Sequence, residues 1–348
     1  MSIVTGIALH AVGASAASLC YTPQKKLNHW SWQTYWLAQA LVCWLLLPVI
    51  VAWLTIPHLP NVLQEAPRSA MLSSFLLGAA YGIGGTAFGM TIKYIGFSLT
   101  YAIAVGISCI LGTLLPPLLS GTLSAQFSKA GGNWIIVGLL LGIAGIVFCG
   151  MSGRMKEKDI SNLNKTSLEF NLKKGLPLCI LAGILSAFYG LSIDQAEPIA
   201  LVADKYGAGN FRTNVIYLFS NSGAFFSTLI YCIYLHRKKH TGTEYKRLSK
   251  TAKPFSLGRN YLLAIATGVL WYSQFFFYGL GHVQLGNFQF TSWGIHMIML
   301  VLFSTLAGLL MKEWLAAKSK TLIFLSTAIL ALIAAVILLA YGNYLGGK

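Results

Sequence analysis

The sequence is poor in charged side chains, and poorest in acidic ones. Charged residues make up 10% of the 348 positions, and Asp and Glu together number only nine, against 25 Lys and Arg. A soluble globular chain carries about 25% charged residues, so this chain cannot be soluble over its whole length. Hydrophobic residues fill 56% of the positions, and the mean hydropathy is +0.67. This composition is typical of an integral membrane protein.

Paired cysteines and catalytic motifs are also missing. The six cysteines fall singly in or at the ends of apolar runs, without a C-x-x-C pair. They are therefore interpreted as small packing residues rather than as metal ligands or disulfide partners. No H-E-x-x-H, G-x-S-x-G or phosphate-binding loop is present. The sequence thus predicts no cofactor and no metal, and it disfavours a membrane enzyme, for instance one that acts on lipid-linked sugars.

Apolar runs long enough to cross a bilayer recur along the whole chain. A membrane-spanning helix needs about 20 residues, whereas barrel strands would show weak alternating segments of about ten residues. We therefore predict an all-α membrane protein with ten transmembrane helices. The predicted spans are Ile3 to Tyr21, Tyr35 to Ile56, Ala70 to Ile92, Phe97 to Leu119, Trp134 to Met151, Gly175 to Ile193, Val215 to Tyr234, Tyr261 to Leu280, Phe290 to Met311 and Leu322 to Tyr341.

The distribution of basic residues predicts the orientation of these helices. No basic leader or A-x-A site precedes or follows the first run, so we expect it to be retained as a helix. Most Lys and Arg lie in odd-numbered connections, while the even-numbered ones hold only Arg68, Lys129, Lys205 and Arg212. The positive-inside rule then places the odd connections in the cytoplasm and both termini outside. The net charge of +16 reflects this topology rather than nucleic-acid binding.

A basic, polar segment divides the chain into two halves of five spans. We predict a first five-helix repeat at 1–152, a cytoplasmic linker at 153–174 and a second five-helix repeat at 175–348. A pattern of glycine and aromatic residues occurs with the same spacing in the third and eighth spans. It consists of Gly78, Tyr81, Phe88 and Gly89 in one span, and of Gly268, Trp271, Tyr278 and Gly279 in the other. Because each repeat has an odd number of spans, the halves would be inverted, as in many secondary transporters.

Polar side chains from four spans are predicted to lie at one depth. They are His10, Asn221, Gln274 and His296, each about 9 to 10 Å from the outer end of its span at about 1.5 Å per residue. An unpaired polar group in hydrocarbon costs several kcal/mol, so these groups predict a polar pocket in the outer half of the bundle. For Asn221 and Gln274, a hydrogen bond between helices is the alternative. Aromatic residues that could wall the pocket are Tyr81, Tyr101, Tyr272, Tyr278 and Trp293.

Such a pocket suits a sugar, because amides and imidazoles bind hydroxyls while aromatic faces cover C–H groups. Proton coupling would need a group that changes charge at accessible pH. Asp194 and Glu197 are expected to share one face of the continuing sixth helix at the outer surface, and two neighbouring carboxylates favour proton binding. Solvated acids at a helix end are the alternative. His10 and His296 are rival proton carriers, since imidazole titrates near neutral pH.

Several stretches of the sequence resemble one known family. They are LWYSQFFFYGLGH, TSWGIHM, LLMKEW, AAYGIGGTAFGMTIKYIGFS, GISCILGTLLPPLLSG and EFNLKKGL. From about His10 to Trp314 they are similar, in the same order, to the L-rhamnose/proton symporter family of the drug/metabolite transporter superfamily. The resemblance implies ten helices in two inverted five-helix repeats, a bacterial inner-membrane location, and sugar uptake driven by the proton gradient.

The chain departs from the pattern of that family at five positions. Gly85 and Ala87 replace asparagines, and Gln289 replaces an aspartate. Asp194 and Glu197 stand where the family has an asparagine and a lysine. These differences suggest that specificity or coupling differs from the family type, with the coupling acid moved from the ninth helix to the sixth.

The sequence therefore favours a proton-coupled symporter for L-rhamnose or a related deoxyhexose, working by alternating access. An exporter or exchanger of another small metabolite of the superfamily is the alternative, and the sequence does not distinguish H⁺ from Na⁺. A passive channel is disfavoured because inverted repeats suit alternating access. The expected partners are the sugar, protons and the lipid bilayer, with the oligomeric state left open. Predicted substrate-binding residues are His10, Tyr81, Asn221, Trp271, Gln274, Tyr278, Gln289, Trp293 and His296; predicted proton-coupling residues are Asp194, Glu197, His10 and His296.

Overall fold

The computed structural model describes residues 3–164, 171–246 and 256–347, which form helices and connections without any strand. Within these ranges nine helices are long and apolar enough to cross a membrane, and Ile3–Leu19 is a shorter apolar helix. The predicted all-α membrane fold of about ten helices is therefore confirmed. In chain order the ten helices are α1 Ile3–Leu19, α2 Trp32–Thr55, α3 Arg68–Ile95, α4 Phe97–Leu119, α5 Gly132–Asn164, α6 Leu172–Gln195, α7 Tyr217–Lys239, α8 Ser256–Val283, α9 Ser292–Leu310 and α10 Ser319–Gly346.

Most helices are longer than the predicted apolar spans, because hydropathy falls at the membrane boundary whereas backbone hydrogen bonding continues. The clearest case is α5, which runs on to Asn164, inside the segment predicted as a linker. Its polar end is held by Asp159, whose carboxylate accepts hydrogen bonds from the Lys318 amide at 3.0 Å and from the Thr321 hydroxyl at 2.7 Å. Residues 165–170 of that predicted linker lie outside the described residues, and α6 begins at Leu172.

The second helix changes its winding in the middle. It consists of an α-helix at Trp32–Ala40, a π-helix at Leu41–Leu46 and a second α-helix at Leu47–Thr55. Pro48 is the second residue of the last segment. It has no N–H to donate, and its ring would clash with the carbonyl of Trp44 in a regular α-helix. The wider π turn before the proline relieves that clash. Such turns occur frequently at functional sites.

The chain forms two compact units, each with segments from both halves of the sequence. The first unit contains Met1–Ser18, Gly84–Leu191 and Leu280–Lys348, and the second contains Leu19–Ile83 and Ser192–Gly279. The helices α1, α3, α6 and α8 therefore contribute residues to both units. This grouping does not test the predicted boundaries between the repeats, so the two inverted repeats stay a prediction.

Within the first unit, α5 and α10 pack at small residues of α5. A Cβ atom at Gly138 would lie 2.8 Å from Leu339, and one at Gly145 would lie 2.8 Å from Leu332. Both leucines are fully buried. Since lipid competes for apolar contacts, close approach of this kind is what brings membrane helices together.

Within the second unit, α3 and α7 approach each other through a reciprocal pair of glycines. A Cβ atom at Gly78 would lie 2.0 Å from the carbonyl oxygen of Ser220, and one at Gly223 would lie 2.0 Å from that of Phe75. No larger residue fits either position without moving the backbone of the facing helix. The glycines of the repeated sequence pattern thus include one, Gly78, that fixes a helix pair.

The start of α2 is held by a carboxylate from the connection after α7. One oxygen of Glu244 accepts hydrogen bonds from the Ser31 amide at 2.8 Å, the Ser31 hydroxyl at 2.8 Å and the Thr34 hydroxyl at 2.6 Å. The Glu244 carbonyl also accepts from the Trp30 indole at 3.0 Å. A negative charge at a helix N-terminus is favourable because the first N–H groups point toward it.

We expect Glu244→Gln to destabilise the second unit, since the amide keeps one acceptor oxygen but loses the charge. The expected loss is about 1 to 2 kcal/mol, the size of a charge-assisted bond that is partly exposed. Thermal unfolding of the purified protein in detergent measures it. Lys205→Gln, which changes a charge at an exposed helix end, is the control. Equal unfolding temperatures for wild type and Glu244→Gln would contradict the assignment.

Candidate functional site

Two histidines and a serine form a buried group in the first unit, which we call the histidine cluster (His10, Ser292 and His296). His10 comes from α1, whereas Ser292 and His296 lie one turn apart on α9. The Nε2 atom of His10 is 2.9 Å from the Ser292 hydroxyl. The two imidazole centroids are 5.9 Å apart, with an angle of 64° between the rings. All three side chains are buried, so the structure brings together the two histidines that the depth argument singled out.

Glycines allow the backbone to pass close to His10. A Cβ atom at Gly281, near the end of α8, would lie 2.9 Å from the Cδ2 atom of His10 and 2.8 Å from the carbonyl oxygen of Gly6. A side chain at position 281 would therefore displace the imidazole. Gly281 belongs to the aromatic and glycine-rich stretch that carries the family resemblance, and this contact gives one physical reason for a glycine there.

Trp293 and Gln289 are close in sequence to the histidine cluster: Trp293 follows Ser292 directly, and Gln289 precedes it by three residues. The Trp293 indole N–H donates to the Ser108 carbonyl at 3.1 Å and is 3.3 Å from the Ser108 hydroxyl. Its ring lies 5.8 Å from that of Tyr189, and a Cβ atom at Gly112 would be 2.4 Å from it. The indole is thus held in place by α4 and α6. Gln289 is half-buried, and its carbonyl accepts the backbone N–H of Ser292.

Three tryptophans meet in the second unit, and we call Trp36, Trp44 and Trp271 the tryptophan cluster. The Trp271 ring centroid is 5.5 Å from that of Trp36 and 5.6 Å from that of Trp44. Tyr81 joins at 6.0 Å from Trp44, and Tyr21 at 5.4 Å from Trp271. Sequence reasoning selected Tyr81 and Trp271 but missed the two α2 tryptophans that lie against them. The available signal was Pro48, which predicts an irregular turn beside Trp44.

The other predicted binding residues of the second unit lie on α7 and α8. Gln274 and Tyr278 follow Trp271 by three and seven residues, so all three occupy one face of α8. Both are buried, as is Asn221 on α7. Gly268 lets α8 pass close to α2, because a Cβ atom there would lie 2.6 Å from Val42 and 3.0 Å from the Gln39 carbonyl oxygen.

The two predicted acids do not continue one helix. The sixth helix ends at Gln195, and a separate helix, Glu197–Lys205, follows it with Pro198 in its first turn. Proline favours the first turn of a helix and interrupts the one before it. The shared helical face expected for Asp194 and Glu197 is therefore broken.

Their surroundings also differ. Asp194 is exposed, and its carboxylate accepts from the Gln195 amide at 3.4 Å. Glu197 pairs with Arg212 at 3.5 Å, and Arg212 also pairs with Asp204 at 3.3 Å. Arg212 is a basic partner that the sequence reasoning assigned only to topology.

A cavity of about 80 Å³ opens in the first unit. It is lined by residues of α4, α5 and α9 and of the connection after α9, among them Tyr101, Cys149, Lys156, Ser304, Thr305, Glu313 and Trp314. The Lys156 ammonium is 3.8 Å from the Glu313 carboxylate and 4.5 Å from the centre of the Trp314 ring. Tyr101 and Ser304 are 3.2 Å apart through their hydroxyls. The lining therefore offers hydroxyls and one ion pair around a small space.

Comparison with known proteins gives one consistent family. The family model described as L-rhamnose-proton symport protein matches residues 1–344. The L-rhamnose-proton symporter of Cronobacter sakazakii is 34% identical over 343 residues, covering 98% of each chain. That of Pectobacterium atrosepticum is 34% identical over 320 residues, covering 91% of this chain and 92% of the relative. That of Yersinia pestis is 33% identical over 343 residues, covering 98% of each. Because its sequence matches over nearly its whole length, this chain belongs to the L-rhamnose-proton symport protein family.

Proposed function

We propose that this protein is a secondary active transporter that couples the uptake of L-rhamnose, or a related deoxyhexose, to the entry of protons by alternating access. Membership of the family supports the substrate and the coupling ion, since both are in the names of its relatives. The observation that carries the proposal is the histidine cluster, because ionisable side chains buried among membrane helices are costly and usually functional.

The histidine cluster supplies a group whose charge changes when a proton binds. Two imidazolium rings with centroids 5.9 Å apart would repel each other, so the cluster can take up at most one extra proton. The Ser292 hydroxyl can donate to a neutral His10 Nε2 atom or accept from a protonated one. The 2.9 Å bond can therefore persist through the proton transfer. A charge that appears in this buried place favours one conformation over another, which is what coupling requires.

The sugar-binding role falls to polar and aromatic residues of the second unit. Trp271, Gln274 and Tyr278 share one face of α8, with Tyr81 and Asn221 on α3 and α7. Amides and hydroxyls bind sugar hydroxyls, and aromatic rings cover the C–H groups of the sugar. Trp293 acts by positioning, since its indole N–H bonds to Ser108 and fixes α9 next to the histidines.

The location and topology complete the proposal. The protein is a multi-pass membrane protein, and we place it in a bacterial inner membrane with both termini periplasmic and the basic connections cytoplasmic. The two five-helix halves are proposed to be inverted repeats. In support of that, Tyr81 and Trp271 occupy equivalent positions of the repeated pattern, and both rings contact Trp44.

Addition of L-rhamnose to a lightly buffered, de-energised suspension of expressing cells should raise the external pH, because protons enter with the sugar. A pH electrode and a panel of other sugars measure this, with cells lacking the protein as control. A response to a different sugar alone would show a specificity unlike that of the family, and would point to the changes at Gly85, Ala87, Asp194, Glu197 and Gln289. Silence across the panel, with expression verified, would contradict symport and favour an exporter or exchanger.

His296→Ala should abolish the accumulation of labelled L-rhamnose, because the cluster then lacks its second imidazole. Exchange of internal for external sugar, which needs no net proton movement, should persist. His29→Ala removes an exposed histidine outside the spans and is the matched control. Accumulation at the wild-type level by His296→Ala would remove this histidine from the coupling mechanism.

Asp194→Asn and Glu197→Gln test the competing site for the proton. If the histidine cluster carries the proton, each variant should retain gradient-driven uptake, since Asp194 is exposed and Glu197 is already paired with Arg212. Uptake is measured with and without a protonophore. Loss of accumulation with normal exchange in either variant would instead place coupling at this acidic pair.

A further inference from the structure

We infer that the tryptophan cluster and Gln39 of α2 form a subsite that binds the hydroxyl groups of a neutral sugar. The inference rests on the proposed function and adds to it a set of donors on α2. Gln39 and the α2 tryptophans were absent from the residues that the sequence selected.

The first observation is a concentration of buried polar atoms whose hydrogen bonding is incomplete. Within the described residues, the indole nitrogens of Trp36, Trp44 and Trp271 have no hydrogen-bond partner, and neither does the side-chain amide of Gln39. The exposed fractions are 4%, 1% and 7% for the three tryptophans and 0% for Gln39. Leaving such a group unsatisfied costs about 1 to 3 kcal/mol, and native proteins rarely tolerate it without a functional reason.

The second observation is that these atoms belong to one place. Trp271 contacts both α2 tryptophans at ring distances of 5.5 and 5.6 Å. Gln39 follows Trp36 by three residues, so the two side chains project from the same side of α2. Gly268, one turn before Trp271, would bring a Cβ to 3.0 Å from the Gln39 carbonyl oxygen. The amide and the three indoles therefore belong to a region where α8 passes close to α2.

The third observation is the backbone that carries them. The π-helix at Leu41–Leu46 begins two residues after Gln39 and contains Trp44. A π turn widens the helix locally, and such turns occur frequently at functional sites. Here it allows Trp36 and Trp44 to contact each other, at 6.4 Å, as well as Trp271.

The fourth observation is the depth of the cluster. Trp44 and Trp271 lie near the middle of α2 and α8, as does the neighbouring Tyr81 on α3, whereas Trp36 lies nearer the start of α2. Substrate sites of secondary transporters lie near the middle of the bilayer. Aromatic residues that merely anchor a helix would instead concentrate near its ends.

The chemistry of the cluster selects the class of ligand. Three indole N–H groups donate hydrogen bonds, while the amide both donates and accepts. The rings supply apolar faces for C–H and methyl groups. None of the four side chains carries a charge, so the subsite suits a neutral, hydroxyl-rich molecule rather than a sugar phosphate.

Binding of labelled L-rhamnose to the purified protein in detergent tests the inference. Gln39→Leu nearly keeps the size of the side chain and removes its polar groups, whereas Trp44→Phe keeps an aromatic ring and removes the N–H together with part of the indole. Each should raise the Kd about five- to tenfold, as expected for one lost hydrogen bond to a neutral group. The unfolding temperature should stay unchanged or rise for Gln39→Leu, because the amide has no partner within the described residues. Trp134→Phe, at an exposed position of the first unit, is the control.

Intrinsic fluorescence provides a second readout from the nine tryptophans. L-rhamnose should change the emission of the wild type and of Trp134→Phe, and the change should shrink in Trp44→Phe. Wild-type Kd in both Gln39→Leu and Trp44→Phe would overturn the subsite while leaving symport intact. A lower unfolding temperature with unaltered Kd would also overturn it and show that the groups serve packing. A wild type that neither binds nor transports L-rhamnose would instead count against the proposed function.

Discussion

The structure depends on one constraint: lipid cannot accept or donate hydrogen bonds, so each polar side chain within the membrane needs a partner in the protein or in a ligand. Much of the buried polarity follows this rule. Ser74 and Ser192 bond to each other at 2.9 Å. The Thr267 hydroxyl interacts with Tyr35 and donates to the Cys20 carbonyl at 2.9 Å. These bonds join segments that are far apart in the sequence.

The same constraint distinguishes the two clusters that we associate with function. In the histidine cluster, the His10–Ser292 bond satisfies one nitrogen while the second imidazole lies alongside. In the tryptophan cluster, the rings satisfy one another by packing, but their N–H groups are matched by nothing in the described residues. An ionisable pair suits a proton, whereas neutral unmatched donors suit a neutral solute. The difference in chemistry therefore corresponds to the two species that a sugar symporter moves.

Hydropathy was sufficient to predict the number of helices, and for α4 it gave the observed bounds, Phe97–Leu119. It did not predict the polar end of α5, where the helix continues beyond the apolar span and Asp159 is held by hydrogen bonds. The depth count paired His10 with His296, but it could not show which neighbour each ring contacts. It missed Gln39 because a single amide near the start of an apolar run has no periodic signal, and it missed the broken helix at Ala196 because the i, i+3 rule assumes a continuous backbone. The substrate came from the family resemblance, not from any spacing.

The eighth helix explains why the stretch at 271–282 combines glycines, aromatics and polar groups. Trp271 at one end belongs to the tryptophan cluster, and Gly281 near the other end lies against His10. One helix therefore carries both a residue of the proposed sugar subsite and a contact of the proposed proton site. Coupling requires that each ligand prefers one arrangement of a shared element. A shift of α8 would alter the packing against His10 and the position of the Trp271 indole together, so the two ligands would bias the same element. A helix that served only as a membrane anchor would not need this combination of glycines, aromatics and polar groups. The requirement for coupling accounts for it.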